Sequence, residues 1–417
     1  MASAVWKSIF VVPALVMSLL WIPELSWAEG ESEGSPAEHD EAQAQNLSTE
    51  GADEAVQAED IEEIGEIRIT DERVSVLSRV FAGEKVRILG RRDFPKTATS
   101  VADVLEKSPL AKVLRTGLEG SLTTLSLRGA GANQMVFMID GVPVTLAGGT
   151  PYDLSLLDLS LVSQIELVTG GLGYGSRSLG GVVNVITVGR LADEKKVNWA
   201  NSLSYGSFET AKFSLGKQKR DASFRSLLMG SVFSTRGDFS YHRKDSGRRI
   251  RDNNEARRFN LLYASERWSE TEVEAFTFVS SGLKRGVPGF AEFPTKFAEL
   301  TESVNTISFT RFVDSKGENR WDKEFNASLT GSYIRFIDPK PTLGAEIKSR
   351  SAEVDFISAL DFSKGASAFA GLTFGFSKMI AGAFGNPSRA FGRAVVAKSF
   401  EVSRLTIAPV AVLNLAE

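Results

Sequence analysis

The chain has 417 residues, of which 42 % are hydrophobic and 24 % charged, and it contains two histidines and no cysteine. The lack of cysteine excludes a disulfide framework and a thiol nucleophile. His39 and His242 stand in polar surroundings without ligand spacing. A histidine metal site or catalytic triad is therefore not expected, and no metal or cofactor is predicted.

The N-terminus predicts export. Lys7 precedes an apolar stretch from Ile9 to Ile22, and Ser26-Trp27-Ala28 places small residues at the −3 and −1 positions of a cleavage site. This pattern predicts a secretory signal peptide over residues 1–28. A membrane anchor is the alternative, but the stretch is short for a bilayer of ~30 Å and Pro13 interrupts it.

The net charge of −4 combines an acidic segment with a basic body. Residues 29–66 contain fourteen Asp or Glu and no Lys or Arg, which predicts a disordered acidic leader. From Ile67 onward there are 47 Lys or Arg against 37 Asp or Glu. These cations fall in predicted loops, such as His242–Arg251 and Arg257-Arg258, and form no stripe. Loops that face anionic lipopolysaccharide are favoured over a nucleic-acid partner.

The sequence pattern of residues 67–188 predicts one compact domain that contains both helices and strands. Ser100-Val-Ala-Asp103 is a capping box that begins a helix, and Asp153 can cap a short helix that extends through Leu159. Asp140-Gly141 predicts a tight turn with positive φ at both residues, after which Val142 to Leu146 returns as a hairpin partner. Strands are predicted at 122–127, 135–139, 164–168 and 182–186.

Two glycine pairs in this domain superficially suggest phosphate-binding loops. Gly129-Ala-Gly131 and Gly171-Leu-Gly173 follow predicted strands. Neither has the third glycine of a dinucleotide loop, and neither opens an evident long helix. Tight-turn glycines are the better interpretation.

Beyond Val188 the apolar residues alternate with polar ones. The period of two occurs in Val197–Tyr205, Ala211–Leu215, Ala352–Phe356 and Ala368–Phe376. Segments of ~10 residues with one apolar face are typical of a membrane β-barrel. A soluble sandwich or lipocalin-like barrel is the alternative. A loop as long as Ser280 to Val304 beside short turns favours the membrane barrel, whose two ends are unequal.

Four segments, in this order, carry a family resemblance: Leu127-Arg-Gly129, Val136–Pro143, Ile165–Gly170 and Gly175–Ile186. They resemble the plug domain of TonB-dependent outer-membrane receptors. The resemblance implies an α+β plug domain at 67–188, followed by an antiparallel transmembrane β-barrel at 189–417. The structural motif residues that it implies in the plug are Arg128, Gly129, Asp140, Gly141, Glu166, Gly170, Tyr174, Gly175, Gly180, Gly181 and Asn184.

Two segments of the plug and one loop show more specific similarities to known receptors, and one segment differs from the family pattern. Ile139–Gly148 and Tyr174–Thr187 are most similar to cobalamin receptors, and Arg285-Gly-Val-Pro-Gly289 resembles a loop common in such barrels. Thr169-Gly170-Gly171 stands where the family usually has Arg-Gly-Pro. The chain therefore lacks the arginine of the family's usual ion pair between plug and barrel.

The length predicts an incomplete barrel. Family barrels have 22 strands, whereas residues 190–417 provide about eleven, at ~10 residues each plus loops. Half a barrel would leave two long unpaired edges in lipid, and Leu415-Ala-Glu417 lacks the usual terminal aromatic residue. A truncated or interrupted sequence is expected. The alternative, a complete barrel of ten or twelve strands, would be too narrow for a plug of ~120 residues.

The resemblance implies a transporter and not an enzyme. It would lie in the outer membrane of a Gram-negative bacterium, in contact with outer-membrane lipid, and import a bulky scarce nutrient into the periplasm. A cobalamin-like ligand is favoured, and an iron-siderophore ligand is the alternative. The residues that it implies for the ligand-binding apex of the plug are Thr116, Gly117, Leu118, Glu119, Gly120, Ser121, Leu146, Ala147, Gly148, Gly149, Thr150, Pro151 and Tyr152.

The implied energy partner is the TonB protein. Strand addition is a mode in which backbone hydrogen bonds supply the affinity. The candidate contact is the alternating segment Gly65, Glu66, Ile67, Arg68, Ile69 and Thr70, and its alternative role is the first strand of the plug.

Three other classes of protein stay open. A receptor-like sensor with a signalling leader is disfavoured because the leader has no folded-domain pattern. A periplasmic enzyme of sandwich fold would need a polar catalytic cluster, and the sequence offers none. A non-transporting plug module, left by a truncated gene, would be supported if the barrel half proved unfolded.

Overall fold

A computed structural model describes residues 86–147, 150–168, 179–189, 199–243, 247–289, 294–314, 321–339, 346–362, 366–380, 386–402, 405–407 and 410–416. All of them belong to one compact unit, residues 65–417. The predicted signal peptide, the acidic leader and the Gly65–Thr70 segment lie outside the described residues. Among the residues described, no helix is long and apolar enough to cross a membrane.

The first part is a small domain around a five-stranded sheet, with strand order β1-β6-β7-β4-β5. Its strands are β1 Val86–Gly90, β4 Met135–Ile139, β5 Val142–Pro143, β6 Val162–Val168 and β7 Gly181–Thr187. A separate hairpin pairs β2 Ala111–Arg115 with β3 Thr123–Leu127. β4 and β7 are parallel, and the other neighbours are antiparallel. Every residue of β6 and β7 is buried, as expected for strands covered on both faces.

The predicted helix start is confirmed. Helix α1, Val101–Leu105, begins at Ser100, whose hydroxyl accepts a hydrogen bond from the Asp103 N–H at 3.3 Å. The Asp103 carboxylate accepts one from the Ser100 N–H at 2.9 Å. The capping box is therefore complete, and it satisfies two backbone donors that the helix itself leaves unpaired.

The turn between β4 and β5 has the predicted conformation, but the returning strand is shorter than predicted. Asp140 has a φ of 52° and Gly141 a φ of 82°. β5 covers Val142–Pro143 instead of Val142 to Leu146. One further backbone hydrogen bond, from the Val144 N–H to the Phe137 carbonyl at 2.9 Å, extends the pairing beyond Pro143.

The helix predicted from Asp153 through Leu159 is wrong. Two 3-10 helices take its place, Leu154–Leu156 and Leu159–Leu161, each begun by an aspartate. The reason is Asp158, which offers a second N-cap in the middle of the predicted helix. A third 3-10 helix covers Arg91–Asp93 and a fourth Ala132–Gln134.

The second part is one large antiparallel sheet, called the wall. Its strands are β8 Trp199–Gly206, β9 Thr210–Arg220, β10 Phe224–Thr235, β13 Ala256–Trp268, β14 Glu272–Gly286, β15 Glu299–Asp314, β16 Trp321–Ile337, β17 Glu346–Phe362, β18 Ala366–Ile380, β19 Ser388–Val402, β20 Leu405–Ile407 and β21 Val410–Ala416. They pair in chain order. β20 and β21 follow each other along β19, so they act as one interrupted strand. The small hairpin of β11 Phe239–Arg243 and β12 Gly247–Arg251 stands between β10 and β13.

The wall buries its polar face and exposes its apolar face. The exposed large side chains include Leu203, Leu215, Leu228, Val232, Phe259, Tyr263, Phe309, Phe356, Leu372, Phe376 and Val396. The buried alternate positions include Ser214, Gln218, Asn260, Thr306, Thr310, Asn326, Thr330 and Asp355. A soluble sandwich would pack its apolar faces inside. The arrangement seen here is that of a membrane barrel wall.

The two ends of the wall differ, as predicted for such a barrel. The strand ends that are followed in sequence by residues 236–255, 287–298, 338–345 and 381–387 lie at one end, called the long-loop rim, together with the short turn 207–209. The turns 221–223 and 269–271 lie at the other end, the short-turn rim, as do the strand ends that are followed in sequence by residues 315–320, 363–365 and 403–404. The loop predicted from Ser280 to Val304 spans only 287–298, because β14 and β15 continue into both of its ends.

Candidate functional site

The first domain is held against the inner face of the wall by three ion pairs. Glu119 pairs with Lys212 of β9, Asp158 with Arg258 of β13, and Asp153 with Arg285 of β14, each at 2.5 Å. The arginine side chains are 2 % and 4 % exposed. A buried charge without its partner costs several kcal/mol. These pairs, called the plug–wall clasps, therefore fix one position of the domain on the wall.

A repeated tetrapeptide builds two of the clasps. Asp-Leu-Ser-Leu occurs at 153–156 and again at 158–161. In each copy, Oδ1 of the aspartate accepts the N–H two residues later at 2.9 Å and so begins a 3-10 helix. In each copy, Oδ2 accepts from a wall arginine. One carboxylate thus caps its own chain and binds the wall.

Arg285 is the centre of the largest clasp. Its Nη1 donates to the Asp153 carboxylate at 2.5 Å, to the Ser155 hydroxyl at 3.0 Å and to the Gly120 carbonyl at 3.4 Å. Its Nη2 donates to the Glu302 carboxylate of β15 at 2.5 Å. One guanidinium therefore joins two loops of the small domain to two strands of the wall.

Neighbouring inward positions of β13 add contacts to the backbone of the 3-10 helices. Arg258 Nη1 donates to the Ser155 carbonyl at 3.0 Å, and its guanidinium lies 4.8 Å from the centre of the Phe233 ring. Asn260 Nδ2 donates to the Leu156 carbonyl at 2.7 Å. Because these side chains donate to backbone carbonyls, they fix the position of the 3-10 helix along β13.

Contacts at opposite ends of the wall fix the orientation of the small domain relative to the two rims. At the short-turn rim, Arg225 Nη2 donates to the Gly189 carbonyl at 2.7 Å and to Glu266 at 2.5 Å. Near the long-loop rim, Gly120 packs so closely that an added Cβ would lie 2.6 Å from the Cβ of Ala256. The loop at 116–121 thus faces the long-loop rim.

The clasp aspartate Asp158 has a shifted pKa. Burial alone would raise it, but the Arg258 charge and the hydrogen bonds from Ser160 outweigh burial and hold the pKa below its usual value. At Tyr152 burial and the nearby Asp153 charge raise the pKa of the phenol. Near neutral pH the tyrosine is therefore neutral and Asp158 is ionised.

A cleft separates the small domain from β17, β18 and β19. It holds about 830 Å³ of empty space, part of it open to solvent. Thr150 and Tyr152 line one side, and Glu353, Asp355 and Arg393 line the other. The cleft is thus lined by both aromatic and charged side chains. Across the described ranges, no group of three or more His, Asp or Glu residues is placed to hold a metal ion.

The structure divides the predicted ligand apex. Glu119 and Gly120 contact the wall at the clasps, whereas Thr116 and Gly117 are exposed and Thr150, Pro151 and Tyr152 line the cleft. Leu146 and Ala147 are buried. Arg285 connects the two loops, through Gly120 on one side and Asp153 on the other. Gly148 and Gly149 lie outside the described residues.

Several predicted motif residues form one buried network. Asp140 accepts from the N–H and the hydroxyl of Thr187 at 2.8 and 2.7 Å. Asn184 accepts from the Gly141 N–H and donates to Glu166, both at 2.9 Å. These residues tie the β4–β5 turn to β6 and β7, which is a structural role.

The remaining motif residues are glycines and one arginine. An added Cβ at Gly181 would lie 2.3 Å from the Val168 carbonyl oxygen, and at Gly180 2.8 Å from the Ala130 Cβ. Arg128 and Gly129 both have positive φ. Gly170, Tyr174 and Gly175 lie outside the described residues.

Sequence reasoning missed the cations of the clasps. The sequence predicts a loop at Arg257-Arg258, but both residues lie in β13, and Arg258 is buried. Arg285 belongs to the predicted loop motif Arg285–Gly289, yet it lies within β14 in contact with Asp153. The signal that could have found the clasps is the repeat of Asp-Leu-Ser-Leu, since two equal acidic turns predict two cationic partners.

Comparison with known proteins agrees with this geometry. Residues 82–182 match the family model described as TonB-dependent Receptor Plug Domain. The chain is similar to the siderophore receptor PirA from Acinetobacter baumannii, with 14 % identity, a TM-score of 0.56, and coverage of 79 % of this chain and 56 % of that chain. It is similar to the FrpB iron transporter from Neisseria meningitidis, with 12 % identity, a TM-score of 0.60, and coverage of 80 % and 59 %. The copper transporter OprC matches at 11 % identity and a TM-score of 0.57, with coverage of 79 % and 55 %.

These matches confirm the resemblance to TonB-dependent receptors. The small domain contains the residues that match the plug-domain model, and the chain has the fold of the solved receptors. The chain spans less than two thirds of the length of each of the three solved structures.

Proposed function

We propose that the protein is a TonB-dependent transporter of the Gram-negative outer membrane, not an enzyme. The observation that carries this is the plug domain clasped to the polar face of a wall whose other face is apolar. Such a plug blocks the route through the barrel until it moves. Transport then requires that a ligand binds at the long-loop rim and that a force acts on the plug from the opposite side of the membrane.

For the cargo, we propose a bulky metal chelate. The solved neighbours are named as siderophore, iron and copper proteins, which supports a ferric siderophore over the cobalamin suggested by the plug motifs. The cleft supports the same class, since Tyr152 offers an aromatic surface while Arg393 and Asp355 offer charge. Cobalamin stays the alternative cargo.

The test is uptake by cells that express the protein in their outer membrane. Labelled ferric siderophores and labelled cobalamin are supplied separately, in strains with and without TonB. We expect accumulation of a ferric siderophore that disappears without TonB. Accumulation of cobalamin alone would reverse the choice of cargo, and equal accumulation without TonB would refute energy-coupled transport.

The proposed TonB contact is Gly65–Thr70, which lies outside the described residues. Proline at Ile67 or Ile69 removes a backbone donor and fixes φ, so it should prevent strand addition. Alanine at the same positions is the matched control and should be milder. We expect proline to abolish uptake while surface binding of the ligand persists. Loss of surface binding would show that the segment is a structural strand of the plug.

A further inference from the structure

The three plug–wall clasps differ in how far solvent reaches them. In the two arginine clasps, the side chains of both partners are at most 9 % exposed. Lys212 and Glu119 are 17 % and 19 % exposed. Of the three clasps, theirs is therefore the one that an ion from solution reaches most easily.

The Lys212 clasp also lies near the long-loop rim. β9 begins at Thr210, directly after the turn 207–209 at that rim, and Lys212 is two residues further along the strand. Its side chain points toward the plug, which it contacts. Lys212 is therefore on the side of the molecule at which the proposed ligand arrives.

Lys212 holds two segments of the plug at once. Its Nζ donates to the Thr99 carbonyl at 2.8 Å and pairs with the Glu119 carboxylate at 2.5 Å. The other carboxylate oxygen of Glu119 accepts from the Thr99 hydroxyl at 3.1 Å. Thr99 precedes the capping box of α1, and Glu119 belongs to the predicted ligand apex. One ammonium group thus fixes both the start of the helix and the 116–121 loop to the wall.

The wall has a partner of its own for Lys212. Phe233 of β10 is directly opposite Lys212, and the centre of its ring lies 5.8 Å from Nζ. An ammonium group within about 6 Å of an aromatic ring is attracted to the face of that ring. Lys212 therefore stays at the inner surface of the wall when Glu119 leaves, and its charge is then available to another anion.

A carboxylate is the anion that fits the place of Glu119. It has the charge and the hydrogen-bonding geometry of the group that it replaces, so the exchange leaves the number of ion pairs unchanged. A small free acid gains little, because the whole entropic cost of association opposes its binding. A ligand that is already held at another contact brings its carboxylate at a high local concentration. The exchange therefore favours a bulky ligand over a simple acid.

We propose that Lys212 is a cargo-binding residue, at which a free carboxylate of the chelate replaces the carboxylate of Glu119. The exchange releases the 116–121 loop from the wall, while the two arginine clasps stay closed. The cargo is then a chelate with at least one carboxylate that is not bound to its metal. This inference rests on the transport function proposed above and narrows its class of cargo.

The test measures the affinity of the full chain, in a neutral detergent, for ferric citrate. Ferrioxamine B, an iron chelate without a carboxylate, is the comparison probe. Glu119→Gln removes the internal competitor and keeps its shape, and Lys212→Met removes the cation. The matched control is Lys219→Met, on the same strand, where Lys219 is exposed and pairs with Asp221 at 3.8 Å.

We expect Glu119→Gln to bind ferric citrate about fivefold more tightly, the effect of removing one partly exposed ion pair that competes for Lys212. A carboxylate with only a structural role would not raise the affinity. Lys212→Met should lose most of the binding, and Lys219→Met should bind as the native chain does. None of these substitutions should change the affinity for ferrioxamine B.

A second measurement follows the loop itself. In the native chain, ferric citrate should speed amide hydrogen exchange at 116–121, because the exchange of carboxylates frees this loop from the wall. Ferrioxamine B should leave the exchange rate there unchanged.

Four results would overturn the proposal. Unchanged or weaker affinity of Glu119→Gln would mean that Glu119 does not compete with the ligand. Equal losses in Lys212→Met and Lys219→Met would mean that net charge alone attracts the chelate. If the native chain does not bind ferric citrate, the carboxylate class of cargo is wrong, and if binding leaves the exchange at 116–121 unchanged, the loop is not released. None of these measurements uses TonB or uptake, so a failed transport assay leaves them intact, and successful transport does not replace them.

Discussion

Gly141 occupies a position that only glycine accepts easily. Its φ is 82°, and its N–H donates to the Asn184 side chain inside the plug. We expect Gly141→Val to lower the free energy of unfolding by about 1 kcal/mol or more, since branched side chains resist this backbone region. Denaturant unfolding measures the change. Gly206→Val is the control, because an added Cβ there meets nothing within 4 Å. Equal effects of the two substitutions would contradict the assignment of the turn.

Arg285 holds two carboxylates, and its loss leaves both of them buried without a cation. We expect Arg285→Met to lower the free energy of unfolding by about 3–5 kcal/mol, as for other broken buried pairs. The control is Arg335→Met, whose partner Glu346 is exposed, and an exposed pair contributes about 0–1 kcal/mol.

A rescue variant separates the lost charge from lost packing. Adding Asp153→Asn and Glu302→Gln to Arg285→Met removes the two carboxylates, so part of the stability should return. If the rescue variant is no more stable than Arg285→Met alone, the destabilisation comes from packing and the charge argument is wrong.

At the scale of elements, the side chain of Asn253 holds the described residues of the 287–298 connection in place. Asn253 Nδ2 donates to the carbonyls of Val287, Thr295 and Ala298 at 3.0 to 3.2 Å. We expect Asn253→Ala to lower the local opening free energy of the 287–298 connection by about 1–3 kcal/mol, the cost of unpaired buried groups. Faster proteolytic cleavage there would show it.

The adjacent residue provides the control for this loop. Asn254 Nδ2 donates to the nearby carbonyls of Arg251 and Asp252, and it makes no hydrogen bond to the described residues of the 287–298 connection. Asn254→Ala should therefore leave its cleavage unchanged. Similar cleavage of both variants would mean that the loop is held by other contacts.

The elements that sequence predicted well are those with a local cause. The capping box at Ser100 and the Asp140-Gly141 turn depend on neighbours within a few residues, and both have the predicted form. The alternation at Ala352–Phe356 predicted which side chains face outward. The plug–wall clasps were not predicted, because Asp158 and Arg258 are 100 residues apart and no local pattern specifies their pairing. The two 3-10 helices show that one extra cap changes where an element ends.

At the scale of the whole molecule, the attachment of the plug should depend on acid. The pKa of Asp158 is lowered by Arg258 and Ser160 against the effect of burial. The stabilisation is therefore complete above the ordinary aspartate pKa of about 4 and is lost as pH falls through the lowered value. We expect the free energy of unfolding to decrease once the pH is lowered below about 4. Asp158→Asn should be less stable near neutral pH and should lose stability less steeply in acid. Equal slopes for the two chains would contradict this assignment.

The position of the clasps along the chain has a consequence for biogenesis. The plug carboxylates lie at 119, 153 and 158, and their cations at 212, 258 and 285, on β9, β13 and β14. A ribosome makes the acidic turns first and completes all three partners before β15 begins. The plug can therefore be engaged by a sheet of the first few strands while the remainder of the wall is still being added. In the membrane location proposed above, the later strands would then be added around a plug that is already in place, so the wall would not have to open to admit it.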